Sequence, residues 1–194
     1  MGLRILASNP MTAKMNEREE QVILVDAADQ PIGAAGKMEA HREGALHRAF
    51  SVFAVNPRGE ILLQRRAEGK YHGGGLWSNS CCGHPRPGEA TLAAAGRRLR
   101  EELRVDAELE PVFVFTYRAE MEGGLIEHEI DHVFVGEIDQ DPDPDPAEVS
   151  EWRWVTPHQI RAELRSSPDS FTPWFRAAFE GFEQRPRRAR TLRN

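Results

Sequence analysis

The spacing of apolar residues changes along this chain, and each change marks an element. Gln21-Val22-Ile23-Leu24-Val25-Asp26 is an apolar run closed by polar residues and Pro31, which predicts a strand. The runs from Ala49 to Val55 and from Ile61 to Arg66 flank Asn56-Pro57-Arg58-Gly59, turn residues that suit a four-residue hairpin connection. Between Glu89 and Leu103, Leu92, Ala95, Leu99 and Leu103 recur at steps of three or four. Arg97, Arg98, Arg100, Glu101 and Glu102 fill the other faces, so an amphipathic helix is predicted. Strands follow over Pro111 to Arg118, Ile126 to Val135 and Trp152 to Val155, with helices near Pro157 to Leu164 and Pro173 to Phe182. Neither a repeat nor a linker interrupts the series, so residues 20–183 read as one domain. Residues 1–19 are polar and unpatterned and are expected to be disordered, and residues 184–194 form a basic tail.

Composition narrows the setting. A formal net charge of -6 over 194 residues argues against nucleic acid as the main partner. The acidic stretch from Asp139 to Asp145 and the arginines of the tail read as solvated surface. No apolar run is long enough to span a bilayer and no signal sequence opens the chain, which predicts a cytoplasmic protein without membrane contact. Two cysteines supply no disulfide framework. They are adjacent, as Cys81 and Cys82, and neighbouring trans residues do not easily close a disulfide, so at least one is expected to be a free thiol. Glycine, proline and polar residues surround the pair in Trp77-Ser78-Asn79-Ser80-Cys81-Cys82-Gly83-His84-Pro85, a setting that suits the edge of an active site.

On the predicted helix, Arg98, Glu101 and Glu102 stand at i, i+3 and i+4 and must share a face. Together with Gly83 and Glu89, the segment Arg97-Arg98-Leu99-Arg100-Glu101-Glu102-Leu103-Arg104-Val105 resembles the Nudix box, in which a cluster of carboxylates holds divalent cations against a diphosphate. Two positions depart from the box: Arg98 replaces its first helical glutamate and Arg104 replaces its glycine. Exchanging a carboxylate for a guanidinium removes a metal ligand and adds a bidentate phosphate binder, which disfavours hydrolysis.

Further fragments point to one Nudix-like family. Leu46-His47-Arg48-Ala49-Phe50-Ser51, Leu63-Gln64-Arg65-Arg66-Ala67, Gly75 to Pro85, Tyr117-Arg118-Ala119, Glu127-His128-Glu129 and Phe171-Thr172-Pro173-Trp174 together resemble type I isopentenyl-diphosphate isomerase over about residues 21 to 182. Arg98 is what that family leads one to expect. The resemblance implies an α/β (α+β) Nudix-like α/β/α sandwich with a mixed β-sheet. It also implies an enzyme of isoprenoid biosynthesis that interconverts isopentenyl and dimethylallyl diphosphate.

That reaction protonates an unactivated alkene, passes through a tertiary carbocation and removes a proton from the neighbouring carbon, so it needs an acid, a proton acceptor and exclusion of water. The resemblance gives the two proton-transfer posts to Cys82 and Glu129, with Tyr117 as a partner of Glu129 and Trp174 offering a π face to the cation. Cys81 falls at a variable position and reads as a spectator. Carried over residue by residue, His41, His47, His84, Glu127 and Glu129 hold a divalent Mn²⁺, Mg²⁺ or Zn²⁺. Glu127 and Glu129, two apart in a strand, point to one side of the sheet. His41 falls in a charged stretch read as a loop. Arg66, Lys70 and Arg98 match diphosphate binders, and Glu102 matches a ligand of the Mg²⁺ that accompanies the substrate. His72, His128, His132 and His158 read as structural or surface residues, Arg65 as turned to the other face, and Trp77 as a pocket wall. The expected assembly is a monomer or weak dimer. Two other readings compete: a Nudix pyrophosphohydrolase, and a noncatalytic metal-binding protein built on Cys81, Cys82, His84 and Glu127.

Overall fold

A computed structural model of the protein describes residues 20–185, so the expectations for residues 1–19 and for nearly all of the basic tail lie outside the described residues. Strand β1 (Gln21–Val25) turns back at once into β2 (Pro31–Gly36), which runs directly into helix α1 (Lys37–Glu43). Pro31 therefore opens a second strand where it had been expected only to end the first. The first position of an edge strand needs no ladder donor, which is why proline is tolerated there. The stretch around His41, expected as a loop, is the helix α1, closed by Gly44 in the left-handed conformation at φ 63°.

Strand β3 (His47–Val55) is the spine of the sheet. It runs parallel to β8 (Ile126–Glu137) in register from His47 opposite Glu129 to Val55 opposite Glu137, and β8 pairs antiparallel with β7 (Glu110–Glu120). The hairpin to β4 (Ile61–Arg66) forms as expected, but the two strands pair only at Val55 and Ile61. Its connection includes Glu60, because the Asn56 side chain accepts from the backbone N–H of both Arg58 and Glu60 at 3.0 Å. Beyond this root the strands part. Strand β5 (Trp77–Ser78) pairs with β4, β6 (Cys81–Gly83) pairs with β3, and β9 (Val149–Val155) takes the other edge of β4.

Helices cover both faces, as expected of an α/β/α sandwich. Helix α2 (Thr91–Leu103) lays Ala94, Ala95, Leu99 and Leu103 on Phe50, Val52, Leu62 and Phe134. Helix α4 (Pro173–Gln184) lays Trp174, Phe175, Ala178, Phe179 and Phe182 on Phe53, Leu63 and Val133 of the opposite face. Between β9 and α4, helix α3 (Pro157–Ser166) starts at a capping box, in which Thr156 and Gln159 satisfy each other's backbone N–H. Helix α2 begins two residues later than the sequence pattern suggested, because Glu89 is engaged with Arg97 through paired bonds of 2.8 Å.

The end of α2 explains one departure from the Nudix box. Arg104 caps the helix in the left-handed conformation, φ 54°, which costs a residue with a Cβ about 1 kcal/mol and which glycine adopts freely. The acidic stretch expected to be free surface crosses this helix end: the N–H groups of Asp143 and Asp145 donate to the carbonyls of Leu103 and Glu102.

Candidate active site

Asn79 and Ser80 decide where the cysteines go. The Ser80 hydroxyl accepts from the Ala54 N–H (2.8 Å) and donates to the Leu62 carbonyl (2.7 Å), so one side chain bridges β3 and β4 where they separate. Asn79 Nδ2 donates to the carbonyls of Cys81 (2.6 Å) and Val52 (3.3 Å). This turn delivers β6 alongside β3 with Cys82 opposite Ser51 and Cys81 opposite Val52. Strand alternation then sends the thiols to opposite faces. Cys81 is buried in the apolar layer under α2, whereas Cys82 packs on the α4 side and lines a cleft of about 730 Å³. A chelate using both cysteines is therefore excluded, and the noncatalytic metal site built on the pair falls with it. Burial pushes the Cys82 thiol up to about 12, with Arg66 pulling more weakly the other way, so it holds its proton at neutral pH.

The opposite flank of β3 supplies the carboxylates. Glu127, Glu129 and Asp131 alternate toward the cleft on β8, with His47 beside Glu129 in the parallel register. Helix α1 contributes His41, and His84 follows β6. The ligand-type atoms of His41, His47, His84, Glu127 and Glu129 all lie within 4.8 Å of one another. His41 Nε2 stands 3.0 Å from Glu127 Oε2, His84 Nε2 stands 2.8 Å from Glu129 Oε1, and His47 Nε2 lies 3.5 Å from that same Glu129 oxygen.

The chemistry of these donors fits a divalent cation. Nδ1 of His41 and of His47 is tied to a backbone carbonyl, of Lys37 at 2.5 Å and of Ala45 at 2.8 Å, so each ring turns the lone pair of Nε2 inward. Nε2 of His47 and of His84 then face each other at 3.3 Å, and His41 Nε2 and Glu127 Oε2 are buried without a hydrogen bond. A divalent cation held there would give those two unpaired atoms a partner. Burial would raise both carboxyls, yet His41 and His72 hold Glu127 well below the usual range, and His47 and His84 hold Glu129 low against the added repulsion of Glu127. Burial depresses His84 to about 4, which keeps it neutral and able to ligate. Tyr117 sits directly opposite Glu129 on β7 and donates to its Oε2 at 2.5 Å; burial and the neighbouring carboxylate push its hydroxyl well above the usual range.

The other end of the cleft is cationic. Arg98 bonds Glu102 (2.6 Å), Glu101 (3.2 Å) and Glu148 (3.2 Å), so the shared helix face read from the sequence is real. Lys70 meets the same Glu148 oxygen at 2.8 Å, and Glu102 is also held by Gln64 Nε2 at 3.1 Å. Arg66 lies over the Trp174 ring at 5.1 Å with its Nη1 3.9 Å from Cys82 Sγ. The Trp174 indole donates to Ser78 Oγ at 3.0 Å, which fixes its ring in the wall. Trp77 is not part of that wall; it packs under Arg153 at 4.1 Å. Arg65 points to the other face, as expected, and meets Gly75 O and Glu151.

Three cleft residues escaped the sequence reading. His72, read as structural or surface, is buried against Glu127 with Nε2 2.5 Å from Oε1. Asp131 extends the alternating acid row and accepts from Ser51 Oγ at 2.7 Å, a signal available from the spacing of Glu127, Glu129 and Asp131. Glu148 follows an acidic stretch with no periodicity, and nothing local marks it.

This cleft, with a carboxylate-bearing helix on one side of a mixed sheet and a His/Glu cluster on the other, belongs to a recognisable class. The NUDIX domain matches residues 45–175, and the chain is a member of that family. A solved Deinococcus radiodurans protein shares the fold with a TM-score of 0.65 at 24% identity, covering 76% of this chain and 90% of its own. The MutT protein of Methanosarcina mazei does so at 0.58 and 24%, covering 71% and 93%. Sequence likeness is much closer to one branch. The chain is 51% identical over 162 residues to isopentenyl-diphosphate Delta-isomerase 2 of Aromatoleum aromaticum, covering 84% of this chain and 86% of that protein. It is 52% identical over 157 residues to the isopentenyl-diphosphate Delta-isomerase of Serratia proteamaculans, covering 81% and 88%. The chain belongs to the isopentenyl-diphosphate Delta-isomerase family within the Nudix superfamily.

Proposed function

We propose that this protein interconverts isopentenyl and dimethylallyl diphosphate, with Cys82 and Glu129 as the proton-transfer pair. The observation that carries this is their placement: the Cys82 thiol and the Glu129 carboxylate line one cleft from strands on either side of β3. Adding a proton to the terminal methylene carbon makes a tertiary carbocation, and loss of a proton from the adjacent methylene carbon completes the shift. One group gives and the other takes in each direction, with roles exchanged in the reverse reaction. Tyr117 steadies Glu129 and can pass its proton. Trp174, buried in the cleft wall and hydrogen-bonded through its nitrogen, keeps water from the cation and offers it a π system.

Arg66, Lys70 and Arg98 bind the diphosphate, with Glu102 sharing its Mg²⁺. A second cation, Mn²⁺, Mg²⁺ or Zn²⁺, would be held by His41, His47, His84, Glu127 and Glu129, where it supplies fixed positive charge that orients Glu129. The reading includes a cytoplasmic location and a monomer or weak dimer; no helix among the described residues is long and apolar enough to cross a membrane.

Purified protein incubated with isopentenyl diphosphate and Mg²⁺ in D₂O, followed by proton and phosphorus NMR, tests the reading. Dimethylallyl diphosphate carrying deuterium is the expected product. Phosphate release without a double-bond shift would turn the reading to pyrophosphohydrolysis, a chemistry that Arg98 disfavours by standing where the hydrolase box has a carboxylate.

A further inference from the structure

We infer that His72 is a positioning residue: it holds the outer oxygen of Glu127, so that the carboxylate offers its other oxygen to the metal centre. The inference rests on the metal-centre reading given above. His72 lies in the connection from β4 to β5, outside the set of five residues whose ligand atoms converge. Its ring is 3% exposed and its Nε2 is 2.5 Å from Glu127 Oε1. His41 and His47 approach the other oxygen, Oε2, at 3.0 and 4.0 Å. The two oxygens of one carboxylate thus have separate company. Oε2 faces the convergent donors, and Oε1 is turned away from them toward the His72 imidazole, with which it forms a close ion-pair contact.

A free carboxylate in a cluster of imidazoles can rotate, swing out or take a cation through both oxygens. A ring packed against one oxygen removes those alternatives, which is the usual work of groups just outside a metal's own ligands. For that work the imidazole must itself be immobile. The His72 ring packs edge-on against Tyr71 at 4.1 Å and Trp174 at 5.5 Å, and its backbone carbonyl accepts from Arg66 Nη2 at 3.2 Å. Gly73 follows at φ 58°, a turn that brings the chain back without a Cβ penalty. Lys70, two residues before His72, reaches Glu148 at 2.8 Å. One short loop therefore has one foot on the His/Glu centre and the other at the cationic end of the cleft.

The test compares wild type, His72→Ala and His72→Gln, each loaded with Zn²⁺ or with Mn²⁺. Three readouts are taken: ion loss to a competing chelator, the kcat and KM for isopentenyl diphosphate, and thermal unfolding of the metal-free form. His72→Ala is expected to weaken ion retention by about 10- to 100-fold. It should lower kcat with KM changed less than about three-fold, because Glu148 holds Lys70 and Arg98 without help from His72. Glutamine, which can return one N–H to Glu127, should recover much of the ion affinity. The proposal is overturned if alanine retains the ion as wild type does. It is also overturned if both variants lose it equally in step with a fall in metal-free melting temperature, the signature of lost packing alone. A wild-type protein that binds neither ion overturns the metal-centre reading itself, and the proposal with it.

Discussion

The two faces of the central sheet are built from the same strands and are opposite in kind. Under α2, Phe50, Val52, Leu62, Cys81, Leu99 and Phe134 interlock in an apolar layer. On the other face, the same β3, β6 and β8 present His47, Ser51, Cys82, Glu127, Glu129 and Asp131 to a cleft, with an aromatic layer against α4 beyond them. Cys81 and Cys82 are one residue apart and show the contrast at its sharpest. Both thiols are raised by burial, yet only Cys82 borders space that a substrate can enter. Burial of ionisable groups is costly unless each finds a partner. The cleft face meets that cost by crosslinking its imidazoles and carboxylates, and the layer under α2 is apolar except at its margin, where Arg98 and Gln64 hold the buried Glu102.

The contrast can be broken or sharpened by substitution. The largest effect should come from the cleft face: Cys82→Ala and Glu129→Gln are each expected to lower kcat by about 10³-fold or more with the fold intact by circular dichroism. Equal losses at Cys81 and Cys82 would erase the distinction. Leu99→Ala removes a side chain buried beneath the sheet and should cost about 3 kcal/mol in urea unfolding, while kcat stays within about three-fold. If that substitution instead abolished turnover at full stability, the apolar face could not be treated as scaffold.

A smaller effect is tied to pH. Against the opposing effect of burial, Arg98 and Lys70 hold the Glu148 carboxyl at about 2, below the ordinary 4.5. A depressed carboxylate stabilises the fold above its unfolded value and loses that contribution as pH falls from about 4.5 toward 2. With the side chain 21% exposed, its worth is on the order of 2 kcal/mol. Glu148→Gln should be less stable than wild type at pH 6 by that order, and the gap should close by pH 2; a gap that does not shrink with acid would remove the electrostatic account. The smallest change is expected for Cys81→Ala, about 1 kcal/mol of stability with turnover unaltered in the same assays.

Legibility followed the range of the forces. The hairpin at Asn56 to Gly59, the helix carrying Arg98 and Glu102 and the pairing of Glu127 with Glu129 on one side of a strand were all readable, because turn chemistry and side-chain period act within a few residues. Helix α1 was missed because seven residues, Lys37 to Glu43, carry too little amphipathic pattern to stand out from a charged loop, and its stability comes from packing. His72 was set aside for a similar reason. A lone histidine in a glycine-rich connection gives no sign of its partner, and here the partner is Glu127, more than fifty residues further along the chain.

By itself, then, the sequence determined the longer strands and helices, the opposed directions of neighbouring side chains and, through family motifs, the class of chemistry and the residues of its metal centre. Tertiary structure alone decided that β3 and β4 separate to admit the turn at Asn79 and Ser80, that His72 is buried against Glu127, and that Glu148 holds Lys70 beside Arg98. The physical reason is that backbone preference and periodicity are local. A buried cluster of charge is held together by contacts between distant segments, and those exist only once the whole sheet has closed around them.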